Sequence, residues 1–255
     1  MSEVKFNFTG KNFIVVGASS GMGRQTALEL AESGANVLAV ARNEDRLQAV
    51  KDHYPDRIDY KILDVTTATL DDWTRILQKF VEYHGKLNGE VYTAGTAGIT
   101  PLKFYDETVA REIMEAGFWG AVKSLQVATK KKFAHPESSY VFFSSVAGYT
   151  AEKGLAFYAA AKAAIRAAMQ SFCHDVVSER HRINTISPGY VKTNMTISST
   201  DIDGEPARVI ERHLLGIGET SDVSGMVLFL LSDRAKWITG EDFVVDGGHM
   251  RGAWR

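Results

Sequence analysis

Tyr158 and Lys162 stand four residues apart in the run Tyr158-Ala159-Ala160-Ala161-Lys162, so a helix there puts both on one face. A tyrosine hydroxyl in water titrates near ~10, too high for base work at neutral pH. Lowering it by about two to three units takes ~3–4 kcal/mol of preference for the phenolate. One ammonium at about 4 Å, at an effective dielectric near 20, supplies about 4 kcal/mol. Lys162 alone is therefore expected to suffice. A hydride added to a carbonyl leaves an alkoxide that needs a proton, and the reverse reaction needs a base. The pair has the means for both. The spacing by itself is a weak signal, since an exposed i, i+4 pair on any helix satisfies it.

A second cluster lies near the amino end. The apolar run Phe13–Val16 leads into Gly17-Ala18-Ser19-Ser20-Gly21-Met22-Gly23, and an amphipathic stretch follows. Glycines let a chain turn sharply and let a phosphate approach the backbone. A helix beginning there would offer free N–H groups and a positive dipole end to a pyrophosphate. The spacing is GxxxGxG rather than the general GxGxxG. A glycine-rich turn without a ligand is the plain alternative.

These residues need a frame. Short β-branched runs at Phe13–Val16, Asn36–Val40, Ile58–Leu63, Glu90–Tyr92, Tyr140–Phe143, Arg182–Ile186 and Asp242–Val245 alternate with helical periodicities. The helices are expected near 22–33, 44–53, 69–84, 106–133, 157–179 and 220–231. This alternation predicts an α/β fold: a Rossmann-like, doubly wound parallel sheet of about seven strands with helices on both faces. No linker or repeat divides the chain, so residues 1–255 read as a single domain. The least regular stretch, 190–212, follows a strand end, where such sheets bind ligands, and reads as a loop covering a substrate.

Composition narrows the function classes. A net charge of −2 gives no electrostatic case for nucleic acid or a membrane surface. Lys130, Lys131 and Lys132 read as the solvated end of the long helix at 106–133. The single cysteine, Cys173, has no partner for a disulfide or a metal pair and lies in an apolar stretch, as a small core residue would. The amino terminus has no apolar signal region and no run approaches a membrane span, so a cytoplasmic protein is expected.

The ordered motifs together resemble the short-chain dehydrogenase/reductase family. The resemblance runs from about residue 8 to 248 and rests on Gly17, Gly21 and Gly23, Ala94-Gly95, Ser145 thirteen residues before Tyr158, Tyr158 with Lys162, Asn184 before Pro188-Gly189, and the stretch from Ile238-Thr239-Gly240 to Asp246-Gly247-Gly248. It implies an oxidoreductase acting on a CH–OH group with a nicotinamide cofactor. Ser145 would hold the substrate oxygen, Tyr158 would serve as general acid/base, and Lys162 would tune it and bind the nicotinamide ribose. A helix cap or turn serine is the plain reading of Ser145, and Ser144 is expected to point elsewhere. Gly17, Ser19, Ser20, Gly21, Met22 and Gly23 would line the cofactor. Asp64 would accept from the adenine amino group, with Val65 beside it, although Asp64 also reads as a helix N-cap. Ala94 and Gly95 would let the backbone approach, and Pro188, Val191 and Thr193 would meet the nicotinamide end.

NAD-binding relatives carry an acid at the end of the second strand. Here that position is Ala41, and Arg42 follows with a guanidinium suited to a phosphate dianion. NADP(H) is therefore preferred, with NAD(H) still admitted, since Ser20 stands where relatives often place a second basic residue. Two departures stand out. Tyr92-Thr93 replaces the usual Asn-Asn before Ala94-Gly95, and Gly117 stands where many relatives have an asparagine that holds a relay water. These departures keep open a second reading, a dinucleotide-binding protein with weak or lost catalysis. An epimerase or dehydratase on the same scaffold is disfavoured by the short chain. The expected partners are a small carbonyl or alcohol substrate and further copies of the chain, as a homotetramer or homodimer. Phe118, Trp119 and Phe172 are candidates for that interface or for the core.

Overall fold

Strand β1 (Asn12–Val16) is buried along its whole length. Phe13 and Val15 enter one core and Ile14 and Val16 the other, as side-chain alternation across a sheet requires. A strand covered on both faces reads as a continuous apolar run, which is why no polar alternation marks it in the sequence. The computed structural model describes residues 4–150, 152–193 and 211–252. Within them, β2 (Asn36–Ala41), β3 (Ile58–Ile62), β4 (Leu87–Tyr92), β5 (Ala134–Phe143), β6 (Arg182–Pro188) and β7 (Asp242–Val245) complete a seven-stranded sheet. The order is β3-β2-β1-β4-β5-β6-β7, and every neighbouring pair is parallel. The chain reverses its direction of travel between β1 and β4, which opens a crevice at their carboxyl ends. The α/β, doubly wound reading of the sequence is correct.

Helices α1 (Gly21–Glu32), α2 (Glu44–Lys51) and α7 (Thr220–Leu231) cover one face, where Leu30, Leu47 and Val227 pack. Helices α3 (Leu70–His84), α5 (Gly120–Ala128) and α6 (Ala156–Asp175) cover the other, burying Trp73, Leu125 and Ile165. Cys173 lies in this second core, as expected of a small core residue. A last turn, α8 (His249–Gly252), follows β7.

Two expectations need correction. The span 106–133 is not one regular helix. It divides into α4 (Glu107–Met114), a π-helical turn (Glu115–Trp119) and α5, with Gly117 inside the π turn. Lys130, Lys131 and Lys132 therefore lie beyond the helix end, in the turn to β5. There Lys131 pairs with Glu179 at 2.8 Å and the Lys132 ammonium sits over the Phe133 ring. Strand β5 is also longer than its apolar run. His135, Pro136 and Glu137 precede that run, the register with β4 shifts between Leu87 and Gly89, and Glu137 takes a left-handed φ of 64°. A bulge of this kind leaves no apolar signature.

Candidate active site

The carboxyl ends of β3, β2, β1 and β4 open on one cleft of about 540 Å³. After β1, Gly17 and Gly21 take φ values of +87° and +54°, which side chains with a Cβ rarely adopt. A Cβ on Gly23 would strike the Gly17 carbonyl and the Thr93 hydroxyl, so the helix can begin this close to the strand only with glycine there. Ser20 caps α1 in an extended conformation, but its side chain makes no capping bond. The first-turn N–H groups are thus left to whatever enters the cleft.

Gly17, Ser19, Ser20, Gly21, Met22 and Gly23 all line the cleft, as do Arg42, Asp64, Val65, Ala94, Gly95 and Thr193. Pro188 and Val191 do not. Pro188 ends β6, and Val191 is buried and bridged to Gly218. Thr193 reaches the glycine turn, with its Cγ2 at 3.1 Å from where a Gly21 Cβ would stand. The Arg42 guanidinium is largely exposed, 3.6 Å from Asp64 and 3.9 Å from Glu112. Asp64 accepts from the Thr66 N–H and hydroxyl at 2.9 and 2.7 Å. Its desolvation is outweighed by these bonds and by Arg42, which hold the carboxyl below its usual range. It caps its own turn. The cap of α3 is Thr69, which forms a capping box with Asp72.

Among the cleft residues that sequence reasoning left out, Arg46 and Thr93 stand out. Arg46 lines it in the first turn of α2, whose cap, Asn43, accepts the Arg46 N–H. A second guanidinium thus lines this end of the cleft, on the next helix rather than in the glycine turn. The signal was an arginine at a helix start, where acids are the rule. Thr93 is the other. Its hydroxyl donates to the Val16 carbonyl at 2.9 Å and ties β4 to β1 beneath the glycines. The residue before it, Tyr92, donates to the Ala116 carbonyl at 2.8 Å. The absent Asn pair is thus replaced by two hydroxyls that each satisfy a backbone oxygen.

Beside this cleft, Ser145 follows β5 and caps the short turn Val146–Gly148, accepting the Ala147 N–H at 3.2 Å. The same hydroxyl neighbours Tyr158 and acts to lower its titration. It is a turn serine and a neighbour of the tyrosine at once. Ser144 points the other way and donates to the Lys162 carbonyl at 2.8 Å. Tyr158 and Lys162 share a face in the first turns of α6, with the ammonium 5.7 Å from the tyrosine ring centre. The Lys162 Nζ donates to the Phe143 carbonyl at 2.7 Å. It also lies 3.5 Å from where a Gly95 Cβ would stand, so the lysine head reaches the cleft wall.

The electrostatics correct one expectation. Burial pushes the Tyr158 hydroxyl above its ordinary value, and only the nearby Ser145 hydroxyl pulls against it. Burial also brings Lys162 down to about 8. The ammonium spends its hydrogen bond on Phe143 and does not by itself lower the tyrosine, because desolvation of the phenolate outweighs a charge held at ring distance. Gly117 packs the π turn against α6, where a Cβ would come within 3.2 Å of Ala161. Asn184 has a bonding role: it donates to the Ile238 carbonyl and accepts the Glu241 N–H, joining β6 to the approach to β7. Of the expected covering loop 190–212, residues 194–210 lie outside the described residues.

The donor set fits a dinucleotide. Positive-φ glycines precede a helix start without a side-chain cap, and two guanidinium groups stand at the β2 corner. Residues 17–250 match the family model described as enoyl-(acyl carrier protein) reductase. The chain is 30% identical over 244 residues to the 3-oxoacyl-(acyl-carrier-protein) reductase FabG of Escherichia coli (strain K12), covering 95% of this chain and 98% of that protein. It is 28% identical over 240 residues to the protein of the same name from Staphylococcus aureus (strain N315), covering 93% and 97%. Among solved structures, a short-chain type dehydrogenase/reductase from Mycobacterium ulcerans superposes with a TM-score of 0.89 at 28% identity, over 96% of this chain and 92% of that one.

Proposed function

The chain belongs to the short-chain dehydrogenase/reductase family, and on that premise we propose that it interconverts a carbonyl and a secondary alcohol with NADP(H), using Tyr158 as acid/base. The observation that carries this reading is the group of Ser145, Tyr158 and Lys162, the serine and lysine buried and the tyrosine half-buried, against the wall of a glycine-lined cleft. Bound NADPH supplies the hydride, and NADP⁺ accepts it in the reverse direction. Ser145 holds the substrate oxygen. Tyr158 gives that oxygen a proton, or removes it in reverse. Lys162 remains charged at neutral pH, favours the phenolate and binds the ribose. Gly17, Ser19, Ser20, Gly21, Met22 and Gly23 hold the pyrophosphate, and Arg42 with Arg46 holds the additional phosphate of NADP(H). Asp64 and Val65 hold the adenine. Ala94, Gly95 and Thr193 hold the nicotinamide end at the cleft wall, and Pro188 and Val191, which stand outside that lining, meet it through backbone atoms.

The relatives' names make a 3-oxoacyl thioester the first substrate to try. Ile99 supports an apolar substrate segment, because it is half exposed and packs beside Gly154, within two stretches that follow strand ends. Tyr158→Phe is expected to cut turnover of acetoacetyl thioester with NADPH by at least about a thousandfold. NADPH binding should be unchanged. Full retained activity would sink the mechanism. The reading of lost catalysis is disfavoured by the intact group of three, and turnover in the same assay rejects it. Arg42→Ala is expected to weaken NADPH relative to NADH by about tenfold in KM. An unchanged ratio would remove Arg42 from the phosphate site.

A cytoplasmic homotetramer or homodimer, with residues 1–255 as one domain, completes the proposal. Phe118 and Phe172 pack on the second core, which leaves the half-exposed Trp119 as the aromatic available to an interface. Among the described residues, no helix is long and apolar enough to cross a membrane.

A further inference from the structure

His213 and His249 stack with ring centres 4.5 Å apart, and both are almost wholly enclosed. His213 follows the stretch 194–210, while the chain enters that stretch through Pro188–Thr193. The two sides meet through the Tyr190 N–H, which donates to His213 Nε2 at 3.0 Å, and through Gly218, whose carbonyl accepts the Lys192 N–H at 2.9 Å and whose N–H donates to the Tyr190 carbonyl at 3.1 Å. Gly189 permits it, because a Cβ there would lie 3.0 Å from the same nitrogen and 2.8 Å from the Asp246 Cα. Behind His213, the Leu215 N–H donates to the Gly247 carbonyl, and Asp246 accepts the Gly248 and Met250 N–H groups at 2.9 and 2.8 Å. The segment that enters 194–210 is thus held against the carboxyl-terminal turn by an imidazole.

We infer that His213 is a positioning residue for the cofactor: through the Tyr190 amide it fixes the backbone of Val191 to Thr193, and it does so only while Nε2 carries no proton. This rests on the reading that Val191 and Thr193 meet the nicotinamide end. A neutral imidazole accepts at one nitrogen and donates at the other, whereas an imidazolium donates at both. Protonation therefore sets two N–H groups against each other at a buried contact and frees the Tyr190 N–H from His213, while the bonds to Gly218 remain. The titratable and charged groups facing the stacked rings are Asp246 on the carboxyl-terminal side, Glu152 after β5, Arg212 on His213's own segment, and Tyr190. Burial holds His249 below its ordinary value, and His213 beside it acts in the same direction.

The test is NADP⁺ binding by calorimetry from pH 5.5 to 8 for the wild type, His213→Gln and His213→Leu. Glutamine keeps an acceptor and does not titrate, so the ratio of wild-type to Gln Kd cancels every other pH effect, including that of the cofactor phosphate. That ratio is expected to rise about tenfold between pH 8 and 5.5. His213→Leu is expected to bind about tenfold more weakly than wild type at pH 8 and to keep a constant ratio to Gln. Parallel wild-type and Gln curves, or a Leu variant as tight as wild type, overturn the inference. Should the Leu variant fail to fold by circular dichroism, the wild-type-to-Gln ratio still decides. A wild type that binds no NADP⁺ at pH 8 overturns the cofactor reading itself.

Discussion

Lys162 and Glu90 are both sealed from water, and burial brings both to about 8, one from above and one from below. At neutral pH the outcome is opposite: the lysine keeps its charge and the carboxyl keeps its proton. Lys162 donates to Phe143 and borders the cleft wall at Gly95. Glu90 lies in the middle of β4, where the Ser124 hydroxyl of α5 donates to one oxygen and the other oxygen finds no partner among the described residues. Tyr140, buried in the facing strand, donates to the Ala128 carbonyl instead. A perturbed titration therefore marks a functional residue only when the group also reaches a cleft. Lys162 meets that condition and Glu90 does not.

Lys162→Met tests one half of the comparison. It should lower activity by about a hundredfold or more, as expected for loss of the proposed ribose contact together with the positive charge beside Tyr158. The wild type should also gain stability over this variant as pH rises from about 8 to 10.5. The folded lysine has released its proton by then, and the unfolded one has not. Retained activity, or a flat stability difference across that window, breaks the contrast. Glu90→Gln tests the other half with the opposite sign. The folded carboxyl is raised, so its contribution is present below 4.5 and is lost as pH rises through 8. The variant's advantage in urea unfolding should grow by about 4 kcal/mol across that window, with turnover unchanged. A loss of turnover would make Glu90 part of the site. Ser124→Ala should have the smallest effect, about 1–3 kcal/mol of stability from an unpartnered carboxyl. The loss should shrink in an E90L background. An equal loss there would show that the serine does not serve Glu90.

Much of the fold was legible because a two-sided parallel sheet writes itself as apolar runs between helical periods. β1, β2 and β6 needed little more than extension by a residue or two. The misread parts are those where backbone geometry departs from regular elements. A π turn keeps helical composition, so the run from Glu107 to Ala128 reads as unbroken although Gly117 sits at its irregular turn. The start of β5 carries a proline and a left-handed glutamate, which no periodicity reports. At the site, the glycines were marked by their place between strand and helix, and Ser145, Tyr158 and Lys162 by the resemblance of the ordered motifs to the family. Arg46 did not, because it reaches the cleft from a neighbouring helix. The electrostatic balance was also hidden in the sequence. The charge of Lys162 was evident there, but its bond to Phe143 and the desolvation of Tyr158 belong to packing.

The single cysteine gives this architecture an internal clock. Cys173 lies on α6, the helix that carries Tyr158 and Lys162. Its sulfur donates to the Gln170 carbonyl and lies 3.0 Å from where a Gly240 Cβ would stand, in the approach to β7. An alkylating reagent can reach that thiol only when α6 parts from this loop. With one thiol in the chain there is one signal to follow, and its labelling rate times the opening of the helix that bears the proposed proton donor.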